Sequence, residues 1–133
     1  MAFLNSDKGV FMLSRNILRL YALAVCFVSV IIFSVSFGVG AYDVVQINLP
    51  EMTLDSWQHE RYQSNINFTR DWPREKAVPD DDTLTRLREE GYRIAIAGEA
   101  RGAKQSLIQQ AITMLIMVAL FLIHWKLSRK AVQ

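Results

Sequence analysis

Cysteine, proline and histidine are scarce in this sequence, which has one, three and two of them in 133 residues. The single cysteine, Cys26, has no partner for an intrachain disulfide, so a disulfide-stapled fold is excluded. His59 and His124 have neither the mutual spacing nor the neighbouring ligands of a zinc site. Phosphate-binding glycine loops, nucleophile motifs and paired cysteines are also absent from the sequence. The sequence therefore predicts a non-enzymatic protein with no catalytic residues, no cofactor and no metal.

An excess of charge of one sign is missing as well. Lysine and arginine number 15, aspartate and glutamate number 13, and the net charge is +2. No basic run with interleaved aromatic residues occurs, so nucleic acid is excluded as a predicted partner. What the sequence does contain is two long uncharged apolar blocks, one near each end. A soluble domain would instead spread its apolar residues with the period of a strand or a helix.

The first block, Leu20–Gly40, contains no charged residue. About 20 helical residues cross a hydrocarbon core of about 30 Å. We therefore predict a transmembrane helix over residues 20–41, preceded by a cytoplasmic segment over residues 1–19. A cleaved signal peptide is the alternative, with Val39–Ala41 as its small-residue cleavage site. Signal-peptide apolar cores run only about 7–15 residues, so a retained anchor is favoured.

The second block, Ser106–Trp125, is also free of charge. Lys126 follows Trp125 directly, and this order of residues is typical of a membrane–water boundary. We predict a second transmembrane helix over residues 106–125 and a basic cytoplasmic tail over residues 126–133. The alternative of a buried core helix needs a soluble domain around it, and the rest of the chain is too polar to supply one.

Positive charge before the first block predicts the orientation. Lys8, Arg15 and Arg19 precede the block, whereas the charged residues just after it are acidic. By the positive-inside rule both termini are cytoplasmic, because two spans return the chain to its starting side. The predicted fold is an all-α membrane protein in which two transmembrane helices form an antiparallel hairpin, joined by a mostly helical polar loop. The residues predicted to lie at the membrane interface are Arg19, Tyr42, Trp125 and Lys126.

The polar segment over residues 42–105 is the predicted extracytoplasmic loop, with helices near residues 54–68 and 83–98. Thr53 is a candidate N-cap for the first of these helices. Asp80–Asp82 precede the second helix and favour a helix start, because carboxylates accept bonds from free N–H groups and oppose the helix dipole. A metal site is the alternative interpretation of these aspartates. It would need a histidine or a second acidic cluster as further ligands, and the sequence places neither nearby.

Small and apolar residues recur at spacings of three and four after Thr83, which is typical of a helix that packs on another helix. Each glycine costs a helix in water about 1 kcal/mol relative to alanine. The glycines here therefore indicate either close helix contact or a break near Gly98–Gly102. The predicted packing residues are Leu84, Leu87, Gly91, Ile94, Ala95, Gly98 and Gly102. A weaker pattern of the same kind in the first block comprises Ser34, Ser36, Gly38 and Gly40.

Arg19-Leu20-Tyr21, followed by an apolar span and then Tyr42-Asp43, resembles the start of certain uncharacterised bacterial membrane proteins. The resemblance covers the region of the first span only. It implies a place in the bacterial inner membrane and implies no activity.

These patterns predict a small two-span membrane protein that works through helix–helix contacts as an accessory, assembly or scaffold subunit. Its predicted partners are the lipid bilayer and either another membrane protein or a second copy of itself. One alternative is a subunit of an oligomeric transporter or channel, in which Gln109 and Gln110 supply polar groups, although neither block has a central charged residue. The other alternative is an envelope sensor, although no motif in the loop identifies a ligand.

Overall fold

The computed structural model describes residues 3–130, with side chains from Arg15 to Lys130. The predicted terminal segments therefore fall partly outside the described residues, as does the side chain of Lys8. The described residues contain no strand, which confirms the all-α prediction. Over residues 3–130 the helices are α1 (Phe3–Asn48), α2 (Pro50–Thr53), α3 (Ser56–Gln63), α4 (Asn65–Thr69) and α5 (Asp81–Lys130).

The helix α1 contains the first apolar block and continues beyond it. The predicted span stops at residue 41, whereas α1 runs on to Asn48. Leu49 then leaves the helical region, with φ −133° and ψ 56°, because the ring of Pro50 crowds the residue before it. Pro50 itself starts α2, where its missing N–H costs no helix bond. The proline therefore determines where the first long helix ends.

The predicted helix over residues 54–68 forms as two short helices, α3 and α4. Ser64 between them is extended, with φ −148° and ψ 158°, and its Oγ accepts a hydrogen bond from the Asn67 N–H at 3.2 Å. This bond caps α4, so the break has a local cause. The prediction that Thr53 caps the helix is wrong, because Thr53 ends α2, and Asp55 precedes α3 without a side-chain cap bond.

Asp80 caps the N-terminus of α5. Its carboxylate accepts hydrogen bonds from the Thr83 hydroxyl at 2.8 Å and from the Thr83 backbone N–H at 3.1 Å. Both hydrogen bonds lower the pKa of Asp80, and the bond from the Thr83 hydroxyl has the larger effect. Asp81 and Asp82 occupy the first turn, where negative charge opposes the helix dipole. The capping role predicted for these aspartates is confirmed.

The helix α5 is 50 residues long and passes through its glycines without a break. No glycine among the described residues has a positive φ, so Gly91, Gly98 and Gly102 all keep the helical conformation. The alternative of a loop or hinge at Gly98–Gly102 is therefore wrong. The second apolar block and the predicted helix after Thr83 belong to this single helix.

Residue contacts divide the chain into two compact units. The first unit combines α1 up to Gly40 with α5 from Ile108, and the second unit comprises Ala41–Leu107. α1 over Arg15–Asn48 and the whole of α5 are each long and apolar enough to cross a membrane. In the most apolar stretch of α5 none of the residues is buried, and in that of α1 22% are.

Candidate helix-contact sites

Small residues form the buried face of α1 in the first unit. Its buried positions follow alternating steps of four and three, with half-buried Phe33 at one step. This is the heptad spacing of helices that pair with a left-handed crossing. Small residues at such positions let two helix backbones approach closely. We call this set the small-residue face, and its buried members are Ala22, Cys26, Ser29, Ser36 and Gly40.

The helix α5 contacts α1 at Cys26 of the small-residue face and at the neighbouring Tyr21. The Cys26 thiol donates to the Phe121 carbonyl, with Sγ 3.6 Å from the oxygen. The rings of Tyr21 and His124 meet edge to face, with centroids 5.9 Å apart. A side-chain-to-backbone bond and a ring contact thus join the two helices. An open apolar groove continues this contact and is lined by Ser29, Val30, Phe33, Met117, Val118 and Phe121.

Two polar side chains in this contact bond to the preceding turn of their own helix. Ser29 Oγ donates to the Val25 carbonyl at 2.8 Å, and His124 Nδ1 lies 2.9 Å from the Leu120 carbonyl. Such bonds satisfy a polar group without water, as an apolar environment requires. The Cys26 thiol is different, because its bond crosses to the other helix.

The sequence pattern identified only part of the small-residue face. Ser36 and Gly40 belong to it, whereas Ser34 and Gly38 are exposed. Small residues four positions apart occur on two different sides of α1. A spacing of four alone therefore does not distinguish the buried side. The signal that finds the face is the continued alternation of steps of four and three, which keeps residues on one side of a helix.

An aromatic cluster holds α3 and α4 against α5 in the second unit. The Tyr62 ring centroid lies 6.0 Å from that of Phe68 and 5.9 Å from that of Tyr92. Phe68 in turn lies 6.3 Å from Trp72, between ring centroids. A Cβ at Gly91 would approach Tyr62 Cε1 to 2.9 Å. The missing side chain of Gly91 therefore makes room for the Tyr62 ring.

A polar network fastens the same helices. Arg88 donates through Nη1 to the Tyr62 carbonyl at 2.6 Å and through Nε to Asn65 Oδ1 at 3.0 Å. Asn65 Nδ2 donates to Asp81 Oδ1 at 2.8 Å and to Thr85 Oγ1 at 2.9 Å. Because Tyr62 lies in the last turn of α3, where carbonyls lack helical partners, the Arg88 guanidinium also caps that helix.

Asp43, Gln46 and Glu99 form a second polar group in this unit, which we call the polar layer. Gln46 Nε2 on α1 donates to Glu99 Oε1 on α5 at 2.8 Å. Asp43, one turn before Gln46, is only 3% exposed, and its Oδ2 has no hydrogen-bond partner among the described residues. Burying a carboxylate oxygen without a hydrogen-bond partner is unfavourable, so buried Asp43 lowers the stability of the second unit.

The predicted packing residues of α5 separate into two groups. The group that is buried or half-buried within the second unit is Leu84, Leu87, Gly91 and Ala95. The other group is exposed: Ile94 is 66% exposed, and a Cβ at Gly98 or Gly102 would meet no atom within 4 Å. The buried side passes through Ala103 instead, which is 3% exposed.

The predicted interface residues are all exposed. Tyr42 is 54% and Trp125 44% exposed, and Arg19 and Lys126 are exposed as well. The Trp125 ring stacks on that of Phe121 at a centroid distance of 5.9 Å, which fixes its orientation. Their amphipathic or charged side chains are suited to a boundary between lipid and water.

Groups with chemical reactivity are dispersed. Among the side chains from Arg15 to Lys130, no three His, Cys, Asp or Glu residues lie close enough to hold a metal ion. His59 is exposed, Gln109 is exposed and Gln110 is half-buried. In comparisons with known proteins, no family model, no curated protein and no solved structure matches this chain.

Proposed function

We propose that this chain is an integral membrane protein with two transmembrane spans. The observation that carries the proposal is the exposure of the apolar helices, since the most apolar stretch of α5 has no buried residue. The core helix of a soluble protein would have its apolar side chains inside. Insertion into lipid would remove these side chains from water. The gain in free energy is about 25 cal/mol per Å² of apolar surface. Side chains of the first unit that are more than half exposed include Leu20, Phe27, Val35, Phe37, Ile108 and Leu115.

The two spans are proposed to form an antiparallel hairpin. Tyr21 contacts His124, whereas Cys26, further along α1, contacts Phe121, which is earlier on α5. Contacts that advance along one helix while they recede along the other support antiparallel pairing. Such a pair places both ends of the chain on the same side of the membrane.

Both termini are proposed to lie in the cytoplasm of a bacterium. Arg15 and Arg19 precede the apolar part of α1, and Lys126, Arg129 and Lys130 follow that of α5. The positive charge before the first block agrees with the positive-inside rule and supports this orientation. The second block is flanked by basic residues on both sides, because Arg101 and Lys104 precede it, so it does not add to the argument. The assignment to a bacterial inner membrane rests on the resemblance in the region of the first span.

Reporter fusions test this topology. Alkaline phosphatase fused after Glu75, in the exposed linker before α5, is expected to be active outside the cytoplasm. The same enzyme fused after Gln133 is expected to be inactive, and a fluorescent protein at that site is expected to fluoresce. The opposite pattern contradicts the orientation. The intact mass of the purified chain tests retention of the first span, because cleavage after Ala41 would remove it.

Within the membrane the protein is proposed to act without catalysis, as an accessory, assembly or scaffold subunit. Ile94, Gly98 and Gly102 support this role, because all three are exposed. At about 100° per residue they lie within about 80° of one another around α5, and we call them the glycine face. The two glycines would allow a partner helix, from another membrane protein or a second copy, to approach closely.

Photo-crosslinking in native membranes tests the contact. A photoreactive residue at Ile94 is expected to give one discrete adduct, either to a second copy or to one other membrane protein. Glu89 is the matched control, because it is exposed and lies about 140° away around the helix. Only monomer at both positions would contradict a role as a subunit, and equal adducts at both would show unspecific contact.

A second candidate function is a subunit of an oligomeric channel, and one observation favours it. The Asp43 carboxylate is buried with an unpartnered oxygen, as in groups that meet a passing cation. In liposomes the protein would then conduct cations, and Asp43→Asn or leucine at Gln109 and Gln110 would lower the flux. Absence of flux from the wild-type protein rules this candidate out.

A further inference from the structure

Charged residues in the second unit are sorted by sign close to the start of the second apolar block. The acidic side chains lie inside the unit: Asp43 is buried, and half-buried Glu99 accepts a hydrogen bond from Gln46. The basic groups turn outward: Arg101 and Lys104 are both exposed. Within the described side chains, neither of these two cations has a hydrogen-bond or ion-pair partner. The surface presented at this level of α5 is therefore positive.

The helix geometry separates the two sets of charges. At about 100° per residue, the midpoint of Arg101 and Lys104 lies about 150° around α5 from that of Glu99 and Ala103. Ala103 is 3% exposed and marks the inward side. The basic pair thus faces away from the polar layer, on the side open to surrounding molecules.

The position along the helix matches the depth of lipid headgroups. At about 1.5 Å per residue, Arg101 lies about 8 Å and Lys104 about 3 Å before Ser106, where the apolar block begins. The headgroup layer on each side of the hydrocarbon core is about 5–8 Å thick. Both cations therefore reach the phosphate level if the block spans the membrane.

Tyr42 lies at the same level on α1. The Gln46–Glu99 hydrogen bond pairs the two helices in this unit. Tyr42 is one turn from Gln46 in the direction of the first apolar block, as Arg101 and Lys104 follow Glu99 toward the second. Tyr42 is 54% exposed, and tyrosine places its ring in lipid and its hydroxyl among headgroups.

We propose that Arg101 and Lys104 form a binding site for the phosphate of an anionic phospholipid, such as phosphatidylglycerol. The guanidinium of Arg101 supplies paired N–H donors to phosphate oxygens, and the ammonium of Lys104 supplies a second positive charge. A zwitterionic lipid is a poorer ligand, because its own ammonium repels these cations. The inference rests on the proposed membrane insertion of the chain.

Lipid retention by the full chain tests the site. The protein is purified in a neutral detergent with equal amounts of phosphatidylglycerol and phosphatidylcholine, and the bound lipids are counted by native mass spectrometry. We expect up to about 25-fold more bound phosphatidylglycerol, because each of the two basic residues contributes about fivefold near an anionic lipid surface. In the double variant Arg101→Gln/Lys104→Gln this preference is expected to disappear while the helix content is unchanged.

The matched control is the double variant Arg86→Gln/Arg93→Gln. It removes the same charge from exposed positions of α5, but the nearer residue, Arg93, lies about 20 Å before Ser106. It is expected to keep the preference. Equal loss in both double variants, or no preference in the wild-type protein, overturns the site.

Alkaline carbonate extraction separates this inference from the proposed function. A chain released from membranes by carbonate overturns membrane insertion and the lipid site with it. A chain that stays in the membrane but retains both lipids equally overturns the lipid site alone.

Discussion

Gly91 of α5 lies directly against Tyr62 of α3, so close that a Cβ at Gly91 would come within 2.9 Å of Tyr62 Cε1. Gly98 and Gly102 of the same helix have open space where their side chains would be. Gly91 therefore has a packed environment, whereas Gly98 and Gly102 have an open one. Gly91 is needed for packing within the second unit, whereas the described contacts do not require glycine at positions 98 and 102.

Replacement of Gly91 by alanine is expected to loosen α3 from α5. The new methyl group displaces the Tyr62 ring, and such overpacking costs about 1–3 kcal/mol. Gly98→Ala is the matched control and is expected to be neutral or stabilising by up to about 1 kcal/mol, because alanine favours the helix. Hydrogen exchange of α3 amides in detergent micelles measures the difference. Equal protection in the two variants would show that the Tyr62 contact contributes nothing.

Replacement of Arg88 by methionine is expected to release α3 and α4. The change removes the bonds to the Tyr62 carbonyl and to Asn65 Oδ1, and bonds from a charged group contribute about 1.5–3 kcal/mol each. Limited proteolysis should then cleave the linker over residues 70–80 faster. Arg86→Met, at an exposed position two residues away, should leave the cleavage rate unchanged. A similar rate for both variants would argue against the network.

The start of α5 is expected to weaken in acid. Hydrogen bonds from Thr83 stabilise the ionised Asp80 carboxylate, so its pKa in the folded chain lies below the ordinary value of an aspartate. Stability from this cap is complete above the unfolded pKa and is lost as the pH falls through the lower folded value. Exchange of the Thr83 amide should therefore speed up in that acidic range. Asp80→Ala should abolish this pH dependence, whereas Asp82→Asn should preserve it.

Enlarging Cys26 is expected to separate the helices of the first unit. Leucine at this position adds volume between α1 and the Phe121 backbone, which costs about 1–3 kcal/mol. Val28→Leu serves as the comparison, because Val28 is 51% exposed and has room for the larger side chain. Thermal unfolding followed by circular dichroism in micelles compares the two. A lower midpoint for Val28→Leu than for Cys26→Leu would contradict the small-residue face.

The sequence predicted elements whose causes are local. Two apolar blocks predicted the two long helices, and the acidic run at Asp80 predicted the start of α5, since caps depend on neighbouring residues. The break at Ser64 was missed even though its cause is local, because a serine inside a polar helix has no distinctive pattern. Contacts between residues distant in the sequence could not be predicted. Nothing near Gly91 in the sequence indicates that the Tyr62 ring packs against it.

The helix-contact residues show the same division. Of the residues chosen by heptad spacing, Leu84, Leu87 and Gly91 are buried or half-buried in the second unit. Ile94, which has the same spacing, is exposed, and the structure buries Ala103 further along the helix. The small-residue face of α1 was only partly identified, because its membership depends on the side from which α5 approaches.

The burial of Cys26 makes the unmodified protein a ready background for site-directed labelling. The sequence contains no other thiol, and this one is 5% exposed and faces a neighbouring helix. Maleimide dyes and spin labels would react with a cysteine introduced at an exposed position while leaving the native thiol untouched. Distances and water access could thus be mapped one position at a time, without first replacing a residue of the small-residue face.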